Sequence, residues 1–109
     1  MADTEIARTK ITETLNLMLA GRLSYIEGAR TVNGWSNKSG YDTLSGPFVT
    51  FVAIDSETDA VPIGEVRERW APDAVAKHIA EWEQSETWAK QYGEPACHEA
   101  LALLAQGRG

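Results

Sequence analysis

Residues 48–67 read FVTFVAIDSETDAVPIGEVR, and the fold class depends on how this stretch is interpreted. Its start, Phe48–Ile54, is rich in β-branched and aromatic residues with little polar alternation, which is typical of a strand covered on both faces. A strand requires a partner, because unpaired backbone N–H and C=O groups are costly. Residues 63–67 return after the acidic turn, with Pro62 at a tolerated strand start. The stretch therefore predicts a short antiparallel strand pair.

Helical periodicity dominates the rest of the chain. Gly21 is a plausible C-terminal cap for a first amphipathic helix, and the series Ser24 to Glu27 has the form of a capping box that begins a second. We predict helices over residues 3–20, 25–32, 72–92 and from Pro95 onward, with a stop at Gly93 and a loop over 33–46. The predicted fold class is α+β: one helix-dominated domain over residues 1–109, with about four helices around the strand pair.

Some aromatic and charged residues do not follow the apolar stripes. In the loop, Trp35 and Tyr41 are expected to fold back onto the body. On the long helix, Glu86 falls near the middle of the apolar stripe, whereas Trp88 lies about 140° from it at 100° per residue. A tryptophan outside the stripe must cover another part of the chain or a partner, and tryptophan is enriched at binding hot spots.

Composition and charge restrict the classes of function. The chain carries 16 acidic and 10 basic residues, a net charge of −6, and its basic residues are scattered. This pattern disfavours nucleic acid and anionic membranes, and it suits a basic protein partner attracted by electrostatic steering. The single cysteine, Cys97, excludes an internal disulfide, and no cluster with zinc spacing occurs. We predict a cytoplasmic protein without a cofactor, since neither a signal-peptide core nor a membrane-spanning run is present.

The acidic turn that contains Asp55, Glu57 and Asp59 has four interpretations. As a calcium loop it would need Gly and Glu where the chain has Ala60 and Val66, so an EF-hand does not fit. A looser magnesium or calcium site and a pair of carboxylates for acid–base catalysis stay open. So do a solvated turn with local hydrogen bonds and a docking surface for a basic partner.

Arg67 is the proposed brace of this turn. A bidentate arginine–carboxylate pair with Asp55, Glu57 or Asp59 has suitable geometry, and Glu86 is another candidate partner. We therefore expect Arg67 to have a structural role ahead of a catalytic one.

Two segments resemble a pattern found in small bacterial proteins without an assigned activity. They are GRLSYIEGAR at 21–30 and FVAIDSETDAVPIGEVRERW at 51–70, which together cover about 30 residues. In this pattern an S-x-I-E-G-A-R helix precedes a strand followed by SETD-x-x-P-x-G-x-V-R-x-x-W. The resemblance implies neither a reaction nor a cofactor, but it suggests one structural constellation. Its members are Glu27, Arg30, Glu57, Asp59, Pro62, Gly64, Arg67 and Trp70.

These observations favour a non-enzymatic, acidic protein-binding module. By analogy with other small acidic bacterial domains, an immunity or regulatory role fits. We assign no catalytic and no metal-binding residue. The expected binding residues are Asp55, Glu57, Asp59, Arg67, Trp70 and Trp88. The alternative is a small metal-dependent hydrolase that uses the Asp55, Glu57 and Asp59 loop with a histidine, and a third hypothesis is a homodimer with Ile6 and Leu17, or Trp88, at its interface.

Overall fold

A computed structural model describes residues 3–63 and 68–106, and this part of the chain contains four complete helices and no strand. The helices are α1 (Asp3–Leu19), α2 (Tyr25–Ser36), α3 (Gly46–Glu57) and α4 (Pro72–Gln106). The predicted α+β class is therefore wrong, because the described residues form an all-α bundle.

The longest helix, α4, sets the dimensions of the bundle. A helix of 35 residues at 1.5 Å per residue is about 52 Å long, and the molecule measures 51 × 26 × 24 Å. α2 packs against each of the other three helices, while α1 and α3 also contact α4. The core consequently lies between α2 and the part of α4 that begins at Trp82, the first buried residue of that helix.

The apolar segment predicted as a strand is the core of α3. Phe48, Phe51 and Ile54 are buried at a spacing of three residues, whereas Val49 is 40% exposed. A strand would instead alternate its buried and exposed positions with a period of two. Pro47 occupies the first turn of the helix, where its missing N–H is tolerated. Burial on one helical face thus outweighs the local β preference of these residues.

The predicted partner strand, residues 63–67, is only partly within the description. Ile63 is half-buried and outside regular structure, and residues 64–67 lie outside the described residues. The expected pairing of Phe48–Ile54 with this segment does not occur, since the first segment is helical.

The stop predicted at Gly93 is also wrong, because α4 continues through Gly93 and Pro95 to Gln106. An internal proline costs a helix about 3 kcal/mol. Here the continued helix buries Ala96, Cys97 and Leu104, and this burial offsets the cost. The absence of a side chain at Gly93 serves packing instead, since an added Cβ would lie 2.7 Å from Cδ1 of Tyr25.

Several local predictions are confirmed. Gly21 follows α1 with φ of +74°, and the side chain of Ser24 accepts a hydrogen bond from the Glu27 amide at 3.0 Å, as in a capping box. Trp35 and Tyr41 pack against the core, and the Tyr41 hydroxyl donates to the Leu103 carbonyl. The loop, however, is shorter than predicted, because α2 extends to residue 36.

Substitution of two glycines by alanine separates packing from helix propensity. Gly93→Ala should lower the free energy of unfolding by about 1–3 kcal/mol, since its Cβ would overlap the Tyr25 ring. Gly34→Ala is the matched control on α2, where no atom lies within 4 Å of the added Cβ. It should stabilise the protein by about 0.5–1 kcal/mol. Urea denaturation measures both, and equal effects of the same sign would contradict the packing role.

Candidate functional site

The acidic segment is divided between the interior and the surface. Asp55 faces inward: its Oδ1 lies 3.4 Å from Arg30 Nε, and its Oδ2 accepts a hydrogen bond from Asn33 Nδ2 at 3.1 Å. Glu57 and Asp59 are exposed. Carboxylates that are close in sequence therefore have different surroundings, and Asp55 is committed to contacts within the protein.

Arg30 braces this segment. One guanidinium nitrogen donates to the backbone carbonyls of Thr58 and Val61, the latter at 3.0 Å, where the chain leaves α3. Its buried Nε makes no hydrogen bond within the described residues, so its contact with Asp55 is electrostatic. The side chains of Arg30 and Asp55 are only 22% and 35% exposed, which strengthens their attraction relative to a surface pair. The predicted brace, Arg67, lies outside the described residues.

Glu86, whose position interrupts the apolar stripe of α4, caps α2 from outside. Its two carboxylate oxygens accept hydrogen bonds from the amides of Tyr25 at 2.7 Å and Ile26 at 3.2 Å. These amides belong to the first turn of a helix and have no partner within it. The positive end of the helix dipole also favours a carboxylate there. A charge within the apolar stripe is thereby accommodated.

Trp70 belongs to an aromatic cluster before and at the start of α4. Its ring meets Trp82 edge to face at 5.3 Å and His78 at 6.0 Å, and His78 stacks on Trp82 at 6.0 Å. Trp82 is buried, whereas Trp70 remains 37% exposed. Trp70 therefore contributes to the wall of the bundle as well as to its surface.

Trp88 lies half-buried beside the end of α3. It lines a surface groove of about 340 Å³ together with Glu57, Glu81 and the polar residues Thr58, Gln84 and Ser85. Gln84 and Trp88 also line an adjoining groove of about 490 Å³, to which Glu83 contributes a further carboxylate. No lysine or arginine is among the described residues that line either groove. The structure thus brings together Glu57 and Trp88 from the predicted set, and it separates Asp55 from them.

Cys97 is the single cysteine of the chain and lies buried in the core. Burial, followed by the charge of Glu94, raises the pKa of Cys97 to about 12, so that the thiol stays protonated at neutral pH and is a poor nucleophile. Burial also raises the pKa of Tyr25 to about 12, with further contributions from Cys97, Glu94 and Glu86. Within residues 3–63 and 68–106, no group of three His, Cys, Asp or Glu side chains is placed to hold a metal ion.

Sequence reasoning missed Asn33 and Glu81 and the particular role of Glu86. Asn33 was assigned to a loop, although the helical pattern of α2 extends past it. Glu86 carried a usable signal, because a carboxylate inside an apolar stripe requires a donor nearby. For Glu81 the sequence gives no signal, since its proximity to Glu57 arises only from the packing of α3 on α4.

No helix in the described part of the chain has both the length and the hydropathy that crossing a bilayer requires.

Comparison with family models, with curated proteins and with solved structures finds no match.

The inward orientation of Asp55 predicts a loss of stability when it is removed. Asp55→Ala should lower the free energy of unfolding by about 1–3 kcal/mol, because Arg30 and Asn33 would lose a partner in a partly buried position. Asp59→Ala removes an exposed carboxylate from the same segment and should change it by less than about 0.5 kcal/mol. Urea denaturation compares the two variants, and an unchanged stability of Asp55→Ala would show that the contacts of Asp55 with Arg30 and Asn33 contribute nothing.

The raised pKa values of Cys97 and Tyr25 predict a loss of stability at alkaline pH. Their ordinary values are 9.0 and 10.0, whereas both are about 12 in the folded chain. Between these limits the unfolded chain binds fewer protons than the folded chain, so the free energy of unfolding falls as pH rises from 9 to 12.

The variants Cys97→Ala and Tyr25→Phe each remove one titrating group. Each should therefore reduce the dependence of stability on pH over this range, whatever its effect at neutral pH. Urea denaturation at neutral and at alkaline pH measures that dependence. An unchanged dependence in both variants would contradict the assignment.

Proposed function

We propose that this protein is a non-enzymatic binding module that holds a basic segment of another protein in the groove beside Trp88. The observation that carries the proposal is the joint presence of Glu57, Glu81 and Trp88 around one groove whose described lining contains no lysine or arginine. Asp55, which the sequence grouped with Glu57, is engaged with Arg30 and Asn33 and does not line this groove.

The charge of the groove suits a lysine or arginine side chain. Glu57 is exposed at the end of α3, and the side chain of Glu81 is 76% exposed on α4. His78 Nδ1 lies 3.5 Å from a Glu81 oxygen, so that a protonated histidine would compete with a basic ligand.

The Trp88 ring supplies the second element of recognition. A cation over a tryptophan face gains about 0.5–1 kcal/mol at an exposed site, and an exposed ion pair gains about 0.2–1 kcal/mol. These contributions are small individually, so a stable complex needs several basic residues along the groove and its extension past Glu83. The net charge of −6 adds long-range attraction that raises the association rate.

An immunity or regulatory role agrees with this proposal, since both act by occupying a partner's surface. The alternative of a metal-dependent hydrolase has no observation in its favour within the described residues. Asp55 is engaged with Arg30 and Asn33, and no three potential ligands converge on one point there.

A short fluorescein-labelled peptide rich in lysine and arginine tests the proposal by fluorescence anisotropy. The double variant Glu57→Gln/Glu81→Gln should weaken binding by about tenfold, which corresponds to the loss of two surface ion pairs. The matched control, Glu5→Gln/Glu99→Gln, makes the same change in net charge at exposed positions that do not line the groove. It should weaken binding by less than about twofold.

Trp88→Leu tests the aromatic part, because leucine keeps an apolar cover but removes the π face. It should weaken binding of the peptide while circular dichroism shows an unchanged helical content. Equal losses of peptide affinity in the two glutamate double variants would show that net charge alone drives binding, and would contradict a role for the groove. A peptide in which glutamate replaces the basic residues should not bind.

A further inference from the structure

In addition to the two grooves at Trp88, a cavity lies between the start of α2 and the N-terminal half of α4. It has a volume of about 250 Å³. Its described lining consists of Ser24, Ile26, Glu27, Ile63, Ile79, Trp82, Glu83 and Glu86. Half of these residues are apolar, three are carboxylates, and none is basic.

The apolar wall of this cavity is preformed. Ile26 and Trp82 are buried in the core, and Ile63 packs against it. The ring of Trp82 is held in place by contacts with the rings of Trp70 and His78. A ligand with an aliphatic chain would therefore meet a rigid surface and would not have to order it first.

The three carboxylates of the cavity are not equivalent. Both oxygens of Glu86 accept hydrogen bonds from the amides of Tyr25 and Ile26, and the N-terminus of α2 offsets its charge. The side chains of Glu27 and Glu83 carry no hydrogen bond or ion pair to another described residue. These two glutamates thus remain to face a ligand.

The same arrangement argues against anions and metal ions. A helix N-terminus binds anions well, but here Glu86 already occupies that position. A hard cation such as Mg²⁺ or Ca²⁺ needs six or more oxygen ligands, whereas the described lining of this cavity offers an apolar wall and two carboxylates without a partner among the described residues.

We propose that this cavity binds an alkylammonium group, with the aliphatic chain against Ile26, Ile79 and Trp82 and the ammonium group between Glu27 and Glu83. Its volume is below the about 300 Å³ at which pockets for drug-sized ligands begin, so the occupant is small. The ammonium group belongs either to a free amine or to a lysine side chain.

The cavity and the groove at Trp88 lie on different sides of α4, and Glu83 is the described residue that lines both the cavity and the extension of the groove. At 100° per residue, Ile79, Trp82, Glu83 and Glu86 lie on one side of α4, and Glu81, Gln84, Ser85 and Trp88 lie on the other. Binding in the cavity does not require binding in the groove, because Glu57, Glu81 and Trp88 do not line the cavity.

Titration of the intact chain with n-pentylammonium, followed by ¹H–¹⁵N NMR, tests the proposal. The expected result is a saturable shift of the Trp82 indole and of the Tyr25 and Ile26 amides. 1-Pentanol, a neutral analogue of the same shape, should bind at least about tenfold more weakly, and pentanoate should not bind. Equal binding of the alcohol, or tighter binding of the carboxylate, would overturn the assignment of the charge.

The double variant Glu27→Gln/Glu83→Gln should weaken binding of n-pentylammonium by about tenfold. Glu5→Gln/Glu99→Gln, with the same change in net charge, serves as the control and should leave it within about twofold. If Glu27→Gln/Glu83→Gln binds n-pentylammonium with unchanged affinity, or if the largest chemical-shift changes occur at the Trp88 indole, the ligand does not bind in this cavity. Circular dichroism verifies that both variants keep their helical content.

Nα-Acetyl-lysine methylamide distinguishes the two sources of the ammonium group. Binding as tight as that of n-pentylammonium identifies a lysine side chain as the ligand, because the main chain then stays outside the cavity. Weaker binding than the free amine identifies a small amine. If neither compound shifts the Trp82 indole, the cavity has no affinity for alkylammonium groups and the proposal is wrong.

Discussion

The docking of Tyr25 on α4 is the constraint on which the rest of the bundle depends. Its amide donates to Glu86, and its ring packs where Gly93 has no side chain, one heptad further along the same helix. The first residue of α2 is thereby held at two points of α4. Since α2 contacts every other helix, this docking also sets where α1 and α3 pack.

The opposite flank of α2 is fixed by Arg30. Its guanidinium group reaches the carbonyls of Thr58 and Val61, so the chain that leaves α3 follows the surface of α2. With α2 held between α4 and the end of α3, two surface features follow. The cavity at Ile26 and Glu27 lies at the start of α2, and the groove at Glu57 lies where α3 ends beside α4.

Sequence reasoning succeeds where the signal is local and fails where tertiary packing decides. The cap at Ser24 and the turn at Gly21 that follows α1 depend on a few neighbouring residues, and both are confirmed. The prediction of a strand over Phe48–Ile54 was wrong, because β-branched residues also suit a buried helix. An apolar run of this length is compatible with the period of a strand and with that of a helix. A glycine marks the end of a helix when the turn there needs a residue without a Cβ. At Gly93 the missing Cβ instead leaves room for the ring of Tyr25.

For the candidate sites, too, the sequence indicates local features, while tertiary packing decides the role of each residue. The sequence predicts that the carboxylates near residue 55 either stabilise the fold or bind a partner. Which role each carboxylate has depends on the side of α3 on which it lies. Asp55 lies one turn after Phe51, whose carbonyl accepts from the same Asn33 nitrogen, and so it faces α2. Glu57 is two residues further, about 200° around the helix, and therefore faces away from α2. Helical periodicity alone thus divides one acidic segment into a structural part and a surface part. A strand over the same residues would have placed Asp55 and Glu57 on one face.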